Sequence, residues 1–141
     1  MKFLDANIFI YAYYKSSRRL SEKGQEMKDQ AQKIISDISE GKEEVVTTVV
    51  HISEVVNILK KGLTRELLNT TILGLFMLDN LTLVDVTKAE YFAAIAYGDD
   101  LNLEPNDALA VDIMHQKGIE EIYSFDKHFD QVEGITRLPI L

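Results

Sequence analysis

Cysteine is missing from this 141-residue chain, and proline (two) and glycine (seven) are scarce. The lack of cysteine excludes a disulfide scaffold, a thiol nucleophile and a Cys-ligated zinc or iron–sulfur centre. No repeat, linker or low-complexity tract divides the sequence, so the expectation is one domain over residues 1–141. Long apolar runs are missing too. The longest stretch without a charge, Leu67 to Leu78, falls well short of the ~20 residues a membrane-spanning helix needs. The opening Met1-Lys2-Phe3-Leu4-Asp5 meets an acid before an apolar signal segment could form, which points to a cytoplasmic protein without a membrane partner. Positive charge is short as well: 23 Asp and Glu stand against 15 Lys and Arg, net −8. Taken alone, that balance argues against a nucleic-acid partner, whose binding usually leaves a basic footprint.

What is present reads as an ordinary globular chain, 46% hydrophobic and 27% charged. Short runs rich in branched or aromatic residues, Lys2 to Leu4, Glu44 to Thr47, Leu81 to Val86 and Glu121 to Ser124, have the character of strands. Helix-like stretches separate them. Thr87-Lys88-Ala89-Glu90 has the form of a capping box, Thr64 suits the N-cap of a helix running toward Leu78, and Pro105 and Gly118 bracket another. Ile52, Val55, Val56 and Leu59 follow the spacing of one apolar helix face. The polar stretch Ser16 to Lys42 reads as a helix behind a loop. This alternation predicts an α/β fold with right-handed crossovers and a mainly parallel sheet covered by helices on both faces.

Ligands of such sheets bind beyond the carboxyl ends of the strands, so the polar residues expected there are the candidates. Asp5 and Asn7 follow the first strand among apolar neighbours, where an unpartnered carboxylate is costly; either could equally be a helix cap. Glu54 has no basic residue three or four positions away to neutralise it. Asp107 opens a helix and aligns with Ala110 and Val111, on the apolar stripe. Asp126 lies just past the fourth strand, where a plain turn residue is the alternative. Asp112 falls about 140° round the helix from Asp107, on the wet face, and Asp130 lies further from the strand end. Carboxylates gathered at one edge repel unless a cation sits among them or some are protonated. With no Cys and only His51, His115 and His128 available, oxygen ligation suits Mg²⁺ or Mn²⁺. The reaction class this favours is metal-assisted phosphodiester hydrolysis, in which the ion lowers the pKa of a water and stabilises charge on the phosphate.

The same residues carry a family resemblance. Leu4-Asp5-Ala6-Asn7-Ile8-Phe9, Thr48 to Glu54, Asn106-Asp107-Ala108-Leu109-Ala110 and Ser124-Phe125-Asp126-Lys127-His128-Phe129 resemble, in order and spacing, the motifs of the PIN-domain family, and size and opening are similar to VapC-type toxin ribonucleases. His51 departs from the pattern, standing where many members carry Ser or Thr. The resemblance implies a three-layer α/β/α PIN-like domain that cleaves single-stranded RNA with Mg²⁺ or Mn²⁺, commonly as a homodimer. It also implies an acidic quartet of Asp5, Glu54, Asp107 and Asp126. Asp5 and Asp107 would ligate the ion, and Glu54 and Asp126 would ligate a second ion or hold water. Asn7, Thr48 and Ser124 would orient these groups from behind. A small antitoxin partner would mark the toxin form, as against housekeeping RNA processing.

Rival readings fit less well. An aspartyl-phosphate phosphatase needs an acid where Asn7 stands, and a receiver domain needs a phosphorylatable Asp after its third strand. A non-catalytic interaction module would gain nothing from converging carboxylates. The charge objection also softens on inspection. Residues 1–70 hold eleven basic and ten acidic side chains, and residues 71–141 hold four and thirteen. RNA backbone contacts are therefore expected from the first half, with Lys15, Arg18, Arg19, Lys60 and Lys61 as candidates. Non-specific binding is expected to be weak.

Overall fold

The computed structural model describes residues 1–14 and 18–141. Its strands are β1 (Lys2–Leu4), β2 (Val45–Thr48), β3 (Leu81–Val84), β4 (Glu121–Tyr123) and β5 (Thr136–Leu138). They form one sheet in the order β3-β2-β1-β4-β5, and every adjacent pair is parallel. The helices are α1 (Ala6–Tyr13), α2 (Glu22–Ser39), α3 (Val49–Leu59), α4 (Arg65–Phe76), α5 (Lys88–Leu101) and α6 (Pro105–Lys117), with a 3-10 turn at Lys127–Gln131.

Alternation along the strands sends successive side chains to opposite faces, and two cores result. Leu4 and Val45 join Ile8, Phe9, Ile35, Val55 and Leu59 on the face covered by α1 to α4. Phe3, Val46 and Ile122 join Ala94, Leu109, Met114 and Phe129 on the face covered by α5 and α6. The expected three-layer α/β/α architecture is therefore observed. Among the described residues, no helix is long and apolar enough to cross a membrane.

Local signals hold where side chains make the bond that sequence suggests. The Thr87–Glu90 capping box opens α5, Thr64 caps α4, and Gly118 ends α6 at φ 67°. Within the polar stretch, Ser21 caps α2, whose Ala31, Ile34, Ile35 and Ile38 are buried. Differences arise at boundaries. β2 runs one residue later than expected, because Thr48 is both its last residue and the cap of α3, with its hydroxyl accepting from His51 N at 3.1 Å. β3 stops at Val84 rather than Val86, and β4 at Tyr123 rather than Ser124. The edge strand β5 has no counterpart among the expected strands.

The chain winds one way from β1 through β2 to β3 and the other way through β4 to β5, so the switch falls between β1 and β4. A crevice opens there beyond the carboxyl ends of the strands. Asp5 follows β1, and Ser124 and Asp126 follow β4.

Candidate metal centre

Asp5 is the N-cap of α1, with Oδ1 accepting from Ala6 N at 2.9 Å. Its Oδ2 accepts from the Ser124 hydroxyl at 2.6 Å. The same Ser124 oxygen accepts from Asn7 Nδ2 at 3.3 Å and from Asp126 N at 3.0 Å. Asn7 Oδ1 in turn accepts from Phe125 N at 3.2 Å. Ser124 is fully buried and thereby ties the end of β1 to the end of β4. Burial pushes the Asp5 carboxyl up to about 6, against the lowering pull of Ser124 and Ala6, with Glu54 and Asp126 adding repulsion.

Asp107 stands in the first turn of α6, whose register Pro105 sets at the first helical position. Its carboxyl is pushed up to about 8, first by burial, then by repulsion from Asp5 and Asp126, by a proton shared with Asp126, and by Glu54. Glu54 comes from α3 and is raised by burial while the Asn106 side chain donates to it and lowers it. Asp126 caps the 3-10 turn, accepting from His128 N at 2.9 Å and meeting His128 Nδ1 at 2.7 Å. One ligand atom from each of Asp107, Asp126 and His128 lies within 4.8 Å of the others. Glu54, Asp107 and Asp126 line one cleft of about 400 Å³ with Tyr91, Glu104 and Asn106. Four carboxylates from four elements thus share one electrostatic site. Among the described residues, no Lys or Arg stands among the groups that shift Asp5 or Asp107.

Such a donor set fits a hard divalent cation. Oxygens dominate, the carboxylates destabilise one another's charged forms, and a cation among them would relieve both burial and repulsion.

The other residues singled out from sequence fall in several places. Thr48 Oγ1 engages His51, at backbone and ring. Asp112 accepts from Gln116, and Asp130 is gripped by the Arg137 guanidinium at 2.9 and 3.1 Å, away from the cluster. Arg18, Arg19, Lys60 and Lys61 are exposed; Lys15 lies outside the described residues.

Three residues of the site, His51, Tyr91 and Asn106, are beyond what the motifs assign. His51 is completely buried between Thr48 Oγ1 (2.7 Å) and the Asn106 carbonyl (3.1 Å), edge-on to Phe3. Asn106 Oδ1 accepts from the Tyr91 hydroxyl at 2.5 Å. These bonds lock the start of α6 to α3 and α5. A signal exists in the sequence: His51 sits one turn before Glu54 and Val55 on the apolar side of α3, an unusual place for an imidazole without a polar partner.

The family model for the PIN domain matches residues 2–135. Among curated proteins no sequence matches. Among solved structures, the fold is similar to a toxin–antitoxin complex from Klebsiella pneumoniae, with TM-score 0.65 and 14% identity over 96% of each chain. It is also similar to VapC20 of Mycobacterium tuberculosis, described as a toxin that cleaves the sarcin–ricin loop, with TM-score 0.67 and 18% identity over 92% of this chain and 93% of that one. A third similarity is to VapBC2 from Rickettsia felis bound to a promoter DNA fragment, with TM-score 0.61 and 15% identity over 96% of each chain.

Proposed function

The chain belongs to the PIN domain family, and on that premise we propose that it is a divalent-metal-dependent endoribonuclease acting on single-stranded RNA, the toxin of a toxin–antitoxin pair. The observation that carries this reading is that Asp5, Glu54, Asp107 and Asp126, from four elements, repel one another at one site where Glu54, Asp107 and Asp126 line a single cleft, with no Lys or Arg among the described residues that shift Asp5 or Asp107. A structural role would favour replacing such groups by apolar ones. A Mg²⁺ or Mn²⁺ ion held by Asp5 and Asp107, with Glu54 and Asp126 beside it, would supply an acidified water and positive charge against the scissile phosphate.

The chain's own residues do the positioning. Ser124 and Ala6 N fix both oxygens of Asp5, so the carboxylate cannot rotate away. Asn7 holds the loop after β4 through Phe125 N, which places Asp126. Asn106 orients Glu54 over the cleft, where it can take a proton from an incoming water. Attack of that water on phosphorus, in line with the bond to the 3′ oxygen, breaks that bond and leaves a 3′-hydroxyl and a 5′-phosphate.

Partners follow from the same reading. The similar structures include toxin–antitoxin assemblies, which supports a small antitoxin for this chain. The outer side of α5 leaves Phe92 75% and Ile95 48% exposed, which supports a homodimer.

The test is cleavage of single-stranded RNA with Mn²⁺ by wild type, Asp5→Asn and Asp107→Asn. Both substitutions keep the shape and remove a negative ligand, so each should lower the rate at least about 100-fold. Metal-dependent cleavage that survives both would remove the site from consideration.

A further inference from the structure

The carboxylate cleft is the middle of a longer trough whose two ends carry opposite charge. Along α3, the cleft shares Glu54, Tyr91 and Asn106 with a cavity that reaches Asn57 and Ile58. Ile58 is also a wall of the next cavity, about 300 Å³, where Tyr11 and Tyr14 face Lys28 and Lys61. In the other direction, Glu104 and Pro105 lead into a cavity of about 420 Å³ lined by Asp99, Asn102 and His128. Among the described residues, the first arm is lined by two ammonium groups and no carboxylate. The second is lined by two carboxylates and no Lys or Arg.

Resting on the nuclease reading, we propose that the RNA strand is gripped on one side of the scissile phosphate only, in the arm ending at Tyr11, Tyr14 and Lys61. On the other side it leaves over Asp99 and Glu104 with its phosphates ungripped. The first arm combines what single strands need: aromatic and aliphatic surfaces for bases, and an exposed cation, Lys61, for phosphates. Lys61 stands in the turn just past the end of α3, where its N–H donates to the Ile58 carbonyl at 3.2 Å, and it lines the arm beside Ile58 on the side away from the carboxylates. Lys28 Nζ donates to the carbonyls of Tyr11 (3.1 Å) and Tyr14 (2.8 Å) and so holds the helix end that presents both rings. On the opposite side, carboxylates face any phosphate that enters, which disfavours retention of that product. The objection raised by a net charge of −8 is thereby divided: the positive surface is needed on one arm alone.

Two measurements test this. The first is binding of a labelled twelve-nucleotide oligo(U) to metal-free protein between 25 and 200 mM salt. Lys61→Glu should weaken binding about tenfold at 50 mM and flatten the slope of log K against log salt by about 0.7, the share of one neutralised phosphate on a single strand. The double variant Asp99→Asn, Glu104→Gln should bind more tightly. The second is the map of Mn²⁺-dependent cuts in the same strand, labelled at either end. Cuts should run up to one terminus and stop several nucleotides short of the other. A Lys61→Glu protein with a wild-type circular dichroism spectrum and unchanged affinity and slope would overturn the proposal, leaving that arm to a protein partner. Equal exclusion of cuts from both ends would overturn it while leaving the nuclease reading intact. Absence of any cleavage, with Lys61-dependent binding preserved, would sink the nuclease reading and uphold the binding arm.

Discussion

His51 shows how much a single buried side chain can settle. Its Nε2 faces the Asn106 carbonyl, which can only accept, so that nitrogen carries the proton. Nδ1 then carries no proton and accepts a hydrogen bond from the Thr48 hydroxyl, while the Thr48 oxygen accepts from His51 N. Burial holds the ring down to about 4, against an ordinary 6.5. Between those values the unfolded chain binds a proton that the folded one refuses. Stability from His51 is therefore present above pH 6.5 and lost as pH falls toward 4, by about 3 kcal/mol in full. Asp5 works the other way, since its raised carboxyl takes up a proton on folding below about 6. The comparison of wild type with His51→Gln cancels that opposing effect. The glutamine retains a donor for Asn106 but does not titrate. The stability advantage of wild type, from urea unfolding, should shrink as pH drops from 7 to 4.5; a constant gap would mean that His51 is not held neutral. The acids are legible in the sequence because apolar surroundings make a carboxylate conspicuous, as at Asp5 and Asp107. The position of His51 is conspicuous in the same way, but the partners of His51 and Tyr91 are not legible, because both are parts of Asn106 brought in by the fold: its backbone carbonyl for His51 and its side-chain oxygen for Tyr91.

At the scale of elements, α5 against α6 sets the position of Asp107. Gly98 packs tightly against the connection to α6 and against Ala108 in its first turns. A Cβ there would meet the Leu103 carbonyl oxygen at 2.8 Å and Ala108 Cβ at 3.0 Å, and neither is a flexible tip. Gly98→Ala should therefore push α5 away from the start of α6, costing about 1–3 kcal/mol. It should also weaken Mn²⁺ binding measured by calorimetry, since Asp107 lies one residue before Ala108. A variant as stable as wild type would show that the helix pair absorbs the methyl by sliding. Helices with self-contained signals are readable: a capping box at Thr87, Pro105 at one end of α6 and Gly118 at the other. The strand β5 is not. Thr136-Arg137-Leu138 is three residues long, leaves Thr136 exposed, and owes its existence to pairing with β4. No local propensity announces a strand that tertiary hydrogen bonds create.

Across the whole molecule, the fold brings four acids from separate segments to one site. That arrangement stores repulsion in the metal-free protein. Mn²⁺ at about 100 times its dissociation constant should add about 2.7 kcal/mol and raise the melting temperature accordingly. Asp107→Asn should melt no lower than wild type in EDTA and gain little from Mn²⁺. An equal gain in both proteins would place the ion elsewhere. The surplus of acid over base in residues 71–141 is visible by counting, but the gathering of Asp99, Glu104, Asp107 and Asp126 along one trough requires the sheet order that seats β1 between β2 and β4.

The Asp107 carboxyl, pushed up to about 8, has a final consequence. At neutral pH, a proton and a cation bound at the proposed site would compete for the same oxygens, so below about pH 8 apparent metal affinity should fall up to about tenfold for each unit of acidification. A fall in pH and a fall in free divalent cation would then act on the proposed site as one and the same signal, each leaving its oxygens without a metal.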